Sequence, residues 1–242
     1  MDRNKLKNLY KKLFVSEVVL PLDVRKIHER VGTELVTDRT FFYGATRKKV
    51  RSLQMESAPG TAETVIEMLL RLQPSGKVLD FGCGQHQSRY LRNLGLDVHA
   101  CDIFDFHTSN YIRLDAEKSV LPFADNEFEV VVASEVIEHV ESPFQLLTEL
   151  KRITSRHLIV TTPNPMSKKS RKTFYKTGYL YWFAPENFEY HISPVFLWQL
   201  QRFCKHHKLE LQETKGNHEI FGLGGQGQLL DLAESMILLI KK

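Results

Sequence analysis

Val78-Leu79-Asp80-Phe81-Gly82-Cys83-Gly84 is the stretch on which the fold turns. A short apolar run from Lys77 to Phe81 leads into two glycines, as a buried strand does where it stops in a sharp turn. Glycine there lets the backbone reverse and approach a ligand with no side chain in the way. A helix is expected next, at about residues 87–94 with Gly95 as its stop, and its first turn offers unpaired N–H groups. The third glycine of a dinucleotide fingerprint is missing, because Gln85, His86 and Gln87 follow Gly84. Asp80, just before the turn, is a poor neighbour for a pyrophosphate and a good one for a cationic ligand.

Outward from this turn, strands and helices alternate. Strands are expected at Asp97–Cys101, Tyr111–Leu114, Glu129–Ala133, His157–Thr161 and residues 208–214, with Glu219–Leu223 as a candidate seventh. Helices are expected at 143–153 and 194–206, and Leu229–Ile240 reads as a closing helix. The rhythm predicts an α/β fold with a doubly wound, mostly parallel sheet, whose ligands bind at the strand C-terminal ends. Upstream, residues 3–30 read as two helical pieces broken at Pro21, the first carrying Leu6, Leu9, Leu13 and Phe14, the second Val24, Ile27 and Val31. Residues 36–58 show no dominant period. Pro59-Gly60-Thr61 opens a helix to Leu72. The expected organisation is a helical N-terminal extension or cap over 1–58, a ligand-binding domain over 59–227 and a C-terminal helix over 228–242.

Composition narrows the class. With 42% hydrophobic and 10% aromatic residues, the 242-residue chain is no solvated coil. Thirteen Gly, nine Pro and three Cys exclude collagen-like and disulfide-scaffold classes. Cys83, Cys101 and Cys204 form no C-x-x-C pair, so neither a disulfide framework nor a zinc ribbon is expected, and a cytoplasmic setting fits. No apolar run approaches the roughly 18 residues of a membrane span. The apolar stretch after the basic N-terminus is interrupted by Glu17 and Pro21, unlike a signal peptide. The net charge of +4 is unevenly spread: residues 1–58 carry 13 Lys/Arg against 7 Asp/Glu, and residues 163–183 carry five against none. Such segments favour an anionic partner.

Asp102 ends the second strand, where an acidic residue some 20 positions after the glycine turn takes ribose hydroxyls. Asp115 ends the third. Asp80, Asp102 and Asp115 on successive strand ends make a cup for a neutral-to-cationic nucleoside.

With these residues in place, the chain resembles the class I S-adenosylmethionine-dependent methyltransferases over roughly residues 59–224. Asp80-Phe81-Gly82-Cys83-Gly84 is similar to the first motif, Asp102 to the ribose-binding acid and Asp115-Ala116-Glu117 to the adenine-contacting region. Leu121-Pro122-Phe123-Ala124-Asp125 resembles the run into the fourth strand, and Thr161-Thr162-Pro163-Asn164 the end of the fifth. The resemblance implies a Rossmann-like seven-stranded sheet whose last two strands form an antiparallel hairpin. It implies S-adenosylmethionine as cofactor, S-adenosylhomocysteine as product, and a cofactor site of Asp80, Phe81, Gly82, Cys83, Gly84, Asp102, Ile103, Asp115, Ala116, Glu117 and Ser134. Gln85 and His86 depart from the pattern, where many members carry a further glycine.

Glu135-Val136-Ile137-Glu138-His139-Val140 follows the fourth strand. In a helical turn, Glu135, Glu138 and His139 would share one face. His139 is then the candidate for acceptor chemistry, as general base or acceptor contact, with Glu138 and Glu135 in support. The same spacing resembles the Glu-x-x-Glu-His pattern of small-RNA 2′-O-methyltransferases and quinone-ring O-methyltransferases, which implies a divalent metal on Glu135, Glu138 and His139; a fourth ligand must come from elsewhere, and His191, just before the Ser193–His206 helix, is the candidate. The metal-free reading is preferred. Methyl transfer needs no nucleophile motif, and neither Gly-x-Ser-x-Gly nor a recognisable Cys–His signature is present.

Residues 164–191 read as a long loop, basic at Lys168, Lys169, Arg171 and Lys172 and then rich in aromatics, suited to an anionic, ring-bearing or sugar-bearing small acceptor. Tyr10, Phe41, Phe42 and Tyr43 are further candidates to line that pocket. RNA-recognition signatures are absent, so nucleic acid is disfavoured as partner. The closing helix is expected to pack on the domain or on a second copy in a homodimer. The expected function is methyl transfer to an oxygen of a small-molecule or carbohydrate-type acceptor. The rivals are a non-enzymatic S-adenosylmethionine-binding protein, a metal-dependent RNA 2′-O-methyltransferase and a nicotinamide- or nucleotide-dependent enzyme.

Overall fold

The computed structural model describes residues 15–43, 46–55, 57–106, 108–117, 120–185, 190–223 and 229–242. The expected helical piece at Leu6–Phe14, and Tyr10 with it, lies outside these residues. Strand β1 (Val15–Glu17) opens the described chain. Helix α1 (Leu22–Val31) starts after Pro21 and buries Val24, Ile27 and Val31, the face that the spacing predicts. It stops at Gly32, whose φ of +108° suits glycine.

Residues 36–53 depart from the helical cap. They form strands β2 (Val36–Tyr43) and β3 (Thr46–Leu53), antiparallel in register from Val36–Leu53 to Tyr43–Thr46. With β1 parallel to β3, they make a small sheet in the order β1-β3-β2. Its polar character hid it. Asp38 reaches Lys49 at 3.1 Å and Arg51 at 3.8 Å, so charges that blur an apolar alternation pair across the strands.

The main sheet begins after helix α2 (Thr61–Leu72) with β4 (Val78–Phe81), buried at every position. Helix α3 (Gln87–Asn93), β5 (Val98–Asp102) and β6 (Tyr111–Arg113) step outward on one side. The chain then returns to the other side of β4 through β7 (Phe128–Ser134), helix α4 (Pro143–Ile153) and β8 (Thr154–Pro163). Helices α5 (Lys168–Thr177) and α6 (Leu197–His206), strand β9 (Glu210–Gly216), the single turn α7 (Leu229–Leu232) and β10 (Ser235–Lys241) complete it. The strand order is β6-β5-β4-β7-β8-β10-β9. The pairings β4–β5, β4–β7, β5–β6 and β7–β8 are parallel, and β10 runs antiparallel to both β8 and β9. The doubly wound sheet is therefore as expected, with its switch point at the C-terminal ends of β4 and β7.

The seventh strand is elsewhere than predicted. Glu219–Leu223 contains a 3₁₀ turn, Glu219–Phe221, ended by Gly222 at φ +69°. The expected closing helix is instead α7 followed by β10. Met236, Leu238 and Ile240 enter the core on one face of the sheet, and Ile237 and Leu239 enter the core on the other. A helix would bury one stripe of this run, whereas an interior strand covered on both faces buries all of it. An unbroken apolar run has no period to separate the two.

Helices cover both faces. Leu147 and Leu150 of α4 and Leu200 and Phe203 of α6 pack on one side. Val65 and Leu69 of α2, Leu91 of α3 and Ile27 of α1 pack on the other. The expected loop at 164–191 contains α5, begun by Ser167, whose hydroxyl accepts from the Ser170 amide at 3.1 Å, and ended by Gly178 at φ +79°. Among the described residues, no helix is long and apolar enough to cross a membrane.

Candidate active site

The glycine turn leaves β4 beside the end of β5. The Gly82 and Cys83 amides both donate to the Cys101 carbonyl, at 2.8 and 3.1 Å. Gly82 has φ +70°, and a Cβ there would lie 2.2 Å from Val136 Cγ2. Glycine is therefore required twice over, for conformation and for room. Gly84, at φ +55°, faces open space.

Asp102 stands across this turn. Its Oδ2 accepts from the Gly84 amide at 3.0 Å and its Oδ1 from the Phe104 amide at 3.1 Å. Two of the four lone-pair sites of the carboxylate are so engaged, and two remain to take hydroxyl donors. Asp115 accepts from the Glu117 amide at 3.0 Å, and Glu117 in turn accepts from the Glu141 amide at 2.8 Å. Ile103 is half exposed and Ala116 partly buried. Ser134 is buried at the end of β7, and its hydroxyl has no partner among the described residues.

Asp80 does something other than line a cup. It is wholly buried, with Gln87 Nε2 donating to Oδ1 at 2.5 Å and Ser88 Oγ donating to Oδ2 at 2.7 Å. Gln87 and Ser88 open α3, so Asp80 fastens that helix to the strand before the glycines. Burial pushes its carboxyl up to about 6 against these two donors. Gln87, which in sequence marks a missing glycine, is thus a working part of the turn. Gln85 is exposed. Phe81 and Cys83 are buried, and burial pushes the Cys83 thiol up to about 12.

The segment after β7 is not the helical turn that the spacing suggests. Glu135 has φ +54° and begins a series of tight turns. Its amide donates to the Thr161 carbonyl at 3.0 Å. Its carboxyl accepts from Thr161 Oγ1 at 2.9 Å and Ser235 Oγ at 3.4 Å. Enclosure there pushes it up to about 7. Glu135 therefore faces β8 and β10 rather than sharing a face with His139.

Glu138 is fully buried, with Thr162 Oγ1 donating to Oε2 at 3.0 Å. Its Oε1 has no hydrogen-bond partner among the described residues and lies 3.9 Å from His139 Nε2. Burial, reinforced by Glu135, raises its pKa well above the usual carboxylate value. The Ile192 and Ser193 amides both donate to the Glu138 carbonyl at 3.0 Å, and Ser193 Oγ donates to the Val140 carbonyl at 2.7 Å. These bonds seat His191 against His139, ring centroids 4.6 Å apart. Each Nδ1 donates to a backbone carbonyl, His139 to Tyr190 at 3.0 Å and His191 to Trp182 at 2.8 Å. In the neutral rings this directs the lone pair to Nε2. Burial, with His139 alongside, lowers His191 to about 4. Glu138, His139 and His191 each offer a ligand atom, all within 4.8 Å of one another, a spacing that one cation could bridge. Glu135 is not part of this group, so the four-ligand set is reduced to three.

A methyltransferase-domain family model matches residues 54–214. The chain belongs to that family. A curated relative, the ubiquinone biosynthesis O-methyltransferase of Rickettsia bellii, is 26% identical over 153 residues, 58% of this chain and 64% of the relative's length. Among solved structures, a SAM-dependent methyltransferase from Archaeoglobus fulgidus superposes with a TM-score of 0.51 at 21% identity, over 75% of this chain and 94% of that one. The 1,6-didemethyltoxoflavin-N1-methyltransferase of Burkholderia thailandensis, crystallised with S-adenosylhomocysteine, gives 0.51 at 11% identity, over 76% and 78%. The strand order and the family together make this a class I S-adenosylmethionine-dependent methyltransferase domain.

Within this methyltransferase domain, Val136 ties the glycine turn to the segment that carries Glu138 and His139. Its side chain fills the space above Gly82 that a Cβ would need, and the turn that carries it continues into Glu138 and His139. Sequence reasoning missed Val136, Gln87, Ser88 and Thr162. Only Gln87 and Ser88 had a local signal, as polar residues at the start of a helix. Phe41, Phe42 and Tyr43, candidates for the acceptor pocket, fall on β2.

Proposed function

We propose that the protein transfers the methyl group of S-adenosylmethionine to an oxygen of a small-molecule or carbohydrate-type acceptor. The observation that supports this reading is the Val136 contact with Gly82, because Val136 lies two and three residues before Glu138 and His139 in the same turn. The Rickettsia relative, an O-methyltransferase by name, supports oxygen as the acceptor atom. When bound, S-adenosylmethionine supplies an electrophilic methyl group on a sulfonium sulfur. Asp102 would hold the ribose hydroxyls through its two remaining lone-pair sites. The Gly82–Gly84 backbone would border the methionine end, and Asp115, Ala116 and Glu117 the adenine. The buried Ser134 hydroxyl and the open face of Gly84 are features that such a ligand fits.

His139 is exposed enough to meet an acceptor, and its Nε2 carries the lone pair that would take the hydroxyl proton. His191, held neutral by burial, does not compete for that proton. A proton on His139 would set a cation 3.9 Å from Glu138 Oε1 and favour the ionised carboxylate there.

Calorimetric titration with S-adenosylhomocysteine, with NAD as control, tests the cofactor assignment, and an acceptor panel assayed for methyl transfer tests the rest. Micromolar binding of the homocysteine product with no response to NAD is expected. Binding without turnover of any acceptor would mark a non-enzymatic S-adenosylmethionine-binding protein, and binding of NAD alone would abandon the assignment. A second reading has Glu138, His139 and His191 hold a divalent cation, which would acidify the acceptor hydroxyl. Activity lost to a chelator and restored by Mg²⁺ or Mn²⁺ would replace the metal-free reading with this one.

A further inference from the structure

Helix α5 has an anchored side and an abandoned one. Ser170 is buried, and its hydroxyl accepts from the Tyr181 amide at 3.1 Å. Lys169 pairs with Glu234 at 2.9 Å and lies 3.7 Å from the Tyr181 ring centroid. Arg171 bonds Asp231 and the Met166 carbonyl. These contacts tie the first turn and a half to α7, to Glu234 between α7 and β10, and to the 3₁₀ turn Tyr181–Phe183. The other side is exposed. Lys168, Lys172 and Lys176 recur every four residues, all exposed, and form no ion pair among the described residues. Tyr175 lies within that stripe and is 86% exposed, with Phe174 and Tyr179 half exposed beside it. Tyr190, 75% exposed, and Ile192 flank His191, whose ring bonds the carbonyl of Trp182 in the 3₁₀ turn on which α5 rests, and the Tyr190 carbonyl takes the His139 Nδ1–H.

We propose that this rim, α5 together with Tyr179, Tyr190 and Ile192, docks on the surface of an anionic lipid bilayer, with the His139 mouth turned toward it. Three cations with no acidic partner among the described residues make a stripe complementary to anionic headgroups. Tyrosine and phenylalanine beside them suit an interface where one end of a ring is apolar and the other wet. Lysine stems can lie along that apolar layer while their ammonium groups stay at headgroup level. Nucleic acid fits less well. The helix's one arginine, the side chain best shaped to fork onto phosphate, is turned inward to Asp231. The rings also stand on a convex helix rather than along a groove that would track a strand.

The proposal stands apart from the methyl-transfer reading, because docking is measured without turnover. The full chain is sedimented with phosphatidylcholine vesicles, with the same vesicles doped with phosphatidylserine, and, as a separate mobility shift, with single-stranded RNA. Binding to the doped vesicles alone, weakening as salt rises, is expected. Combining Lys168→Glu, Lys172→Glu and Lys176→Glu should lower that binding on the order of 100-fold. Tyr175→Ser with Phe174→Ser should lower it with the lysines intact. Circular dichroism checks that each variant is folded. Failure to sediment with the doped vesicles, equal sedimentation with both vesicle types, undiminished sedimentation of the folded lysine variant, or RNA binding in place of vesicle binding would each overturn the proposal.

Discussion

The two halves of the proposed site are built in different ways. At the cofactor edge the parts are close in sequence: Asp80, Gly82, Gly84, Gln87 and Ser88 lie within nine positions, and Asp102 joins them across one strand pairing. At the acceptor mouth, His139 and His191 are 52 positions apart and meet because two amides find the Glu138 carbonyl. The first half is held by backbone geometry that few substitutions tolerate. The second is held by a few long-range bonds at an open rim.

Substitutions at the joint should test that contrast most severely. Gly82→Val puts a branched side chain at φ +70° and into Val136, and should cost more than about 3 kcal/mol of stability or abolish folding. Adding Val136→Ala should recover part of the loss. Chemical denaturation of both variants measures it, and a Gly82→Val protein as stable as the parent would dissolve the joint between the halves. On the acceptor side, His139→Ala should lower turnover by about 10²–10⁴-fold while S-adenosylhomocysteine affinity stays put. If affinity falls in parallel, the two halves are not separable.

Glu135 sharpens the comparison through pH. Its carboxyl rises from an ordinary 4.5 to about 7 on folding, so its neutral form is the one the fold favours. Its contribution to stability is then complete below pH 4.5 and is lost as pH climbs through 7. Glu135→Gln should flatten that decline in a series of melts across the interval, and an unchanged slope would show that the carboxyl titrates normally. On the cofactor side, Asp102→Ala should weaken S-adenosylhomocysteine binding by about 1–3 kcal/mol without affecting His139 chemistry. Unaltered calorimetric affinity would remove Asp102 from the site. The smallest effect belongs to Gly84→Ala. Nothing crowds that position, so only the positive φ resists, at about 1–2 kcal/mol of stability. A loss as large as that of Gly82→Val would mean that Gly84 is hemmed in after all.

Much of this design can be read from residues that act locally. The apolar run into Gly82 and Gly84, Gly95 after α3, Pro163 at the end of β8 and the alternation of strands with helices depend on backbone preferences and nearest neighbours, which a sequence carries openly. They determined the sheet, its ligand edge and the place of Asp102. The tertiary structure decided the remainder. Residues 235–240 became a strand because β8 and β9 leave a slot open on both faces, and an unbroken apolar run does not say which partner it will meet. Asp80 became a helix fastener because Gln87 and Ser88 turn back onto it. Glu135 left His139 because a positive φ aimed it at Thr161 and Ser235, while His191, the fourth ligand expected from sequence, reached His139 through backbone bonds from a distant segment. In each case the outcome depended on which group a side chain met after the chain had closed on itself, a contact fixed by packing and not by neighbours in the chain.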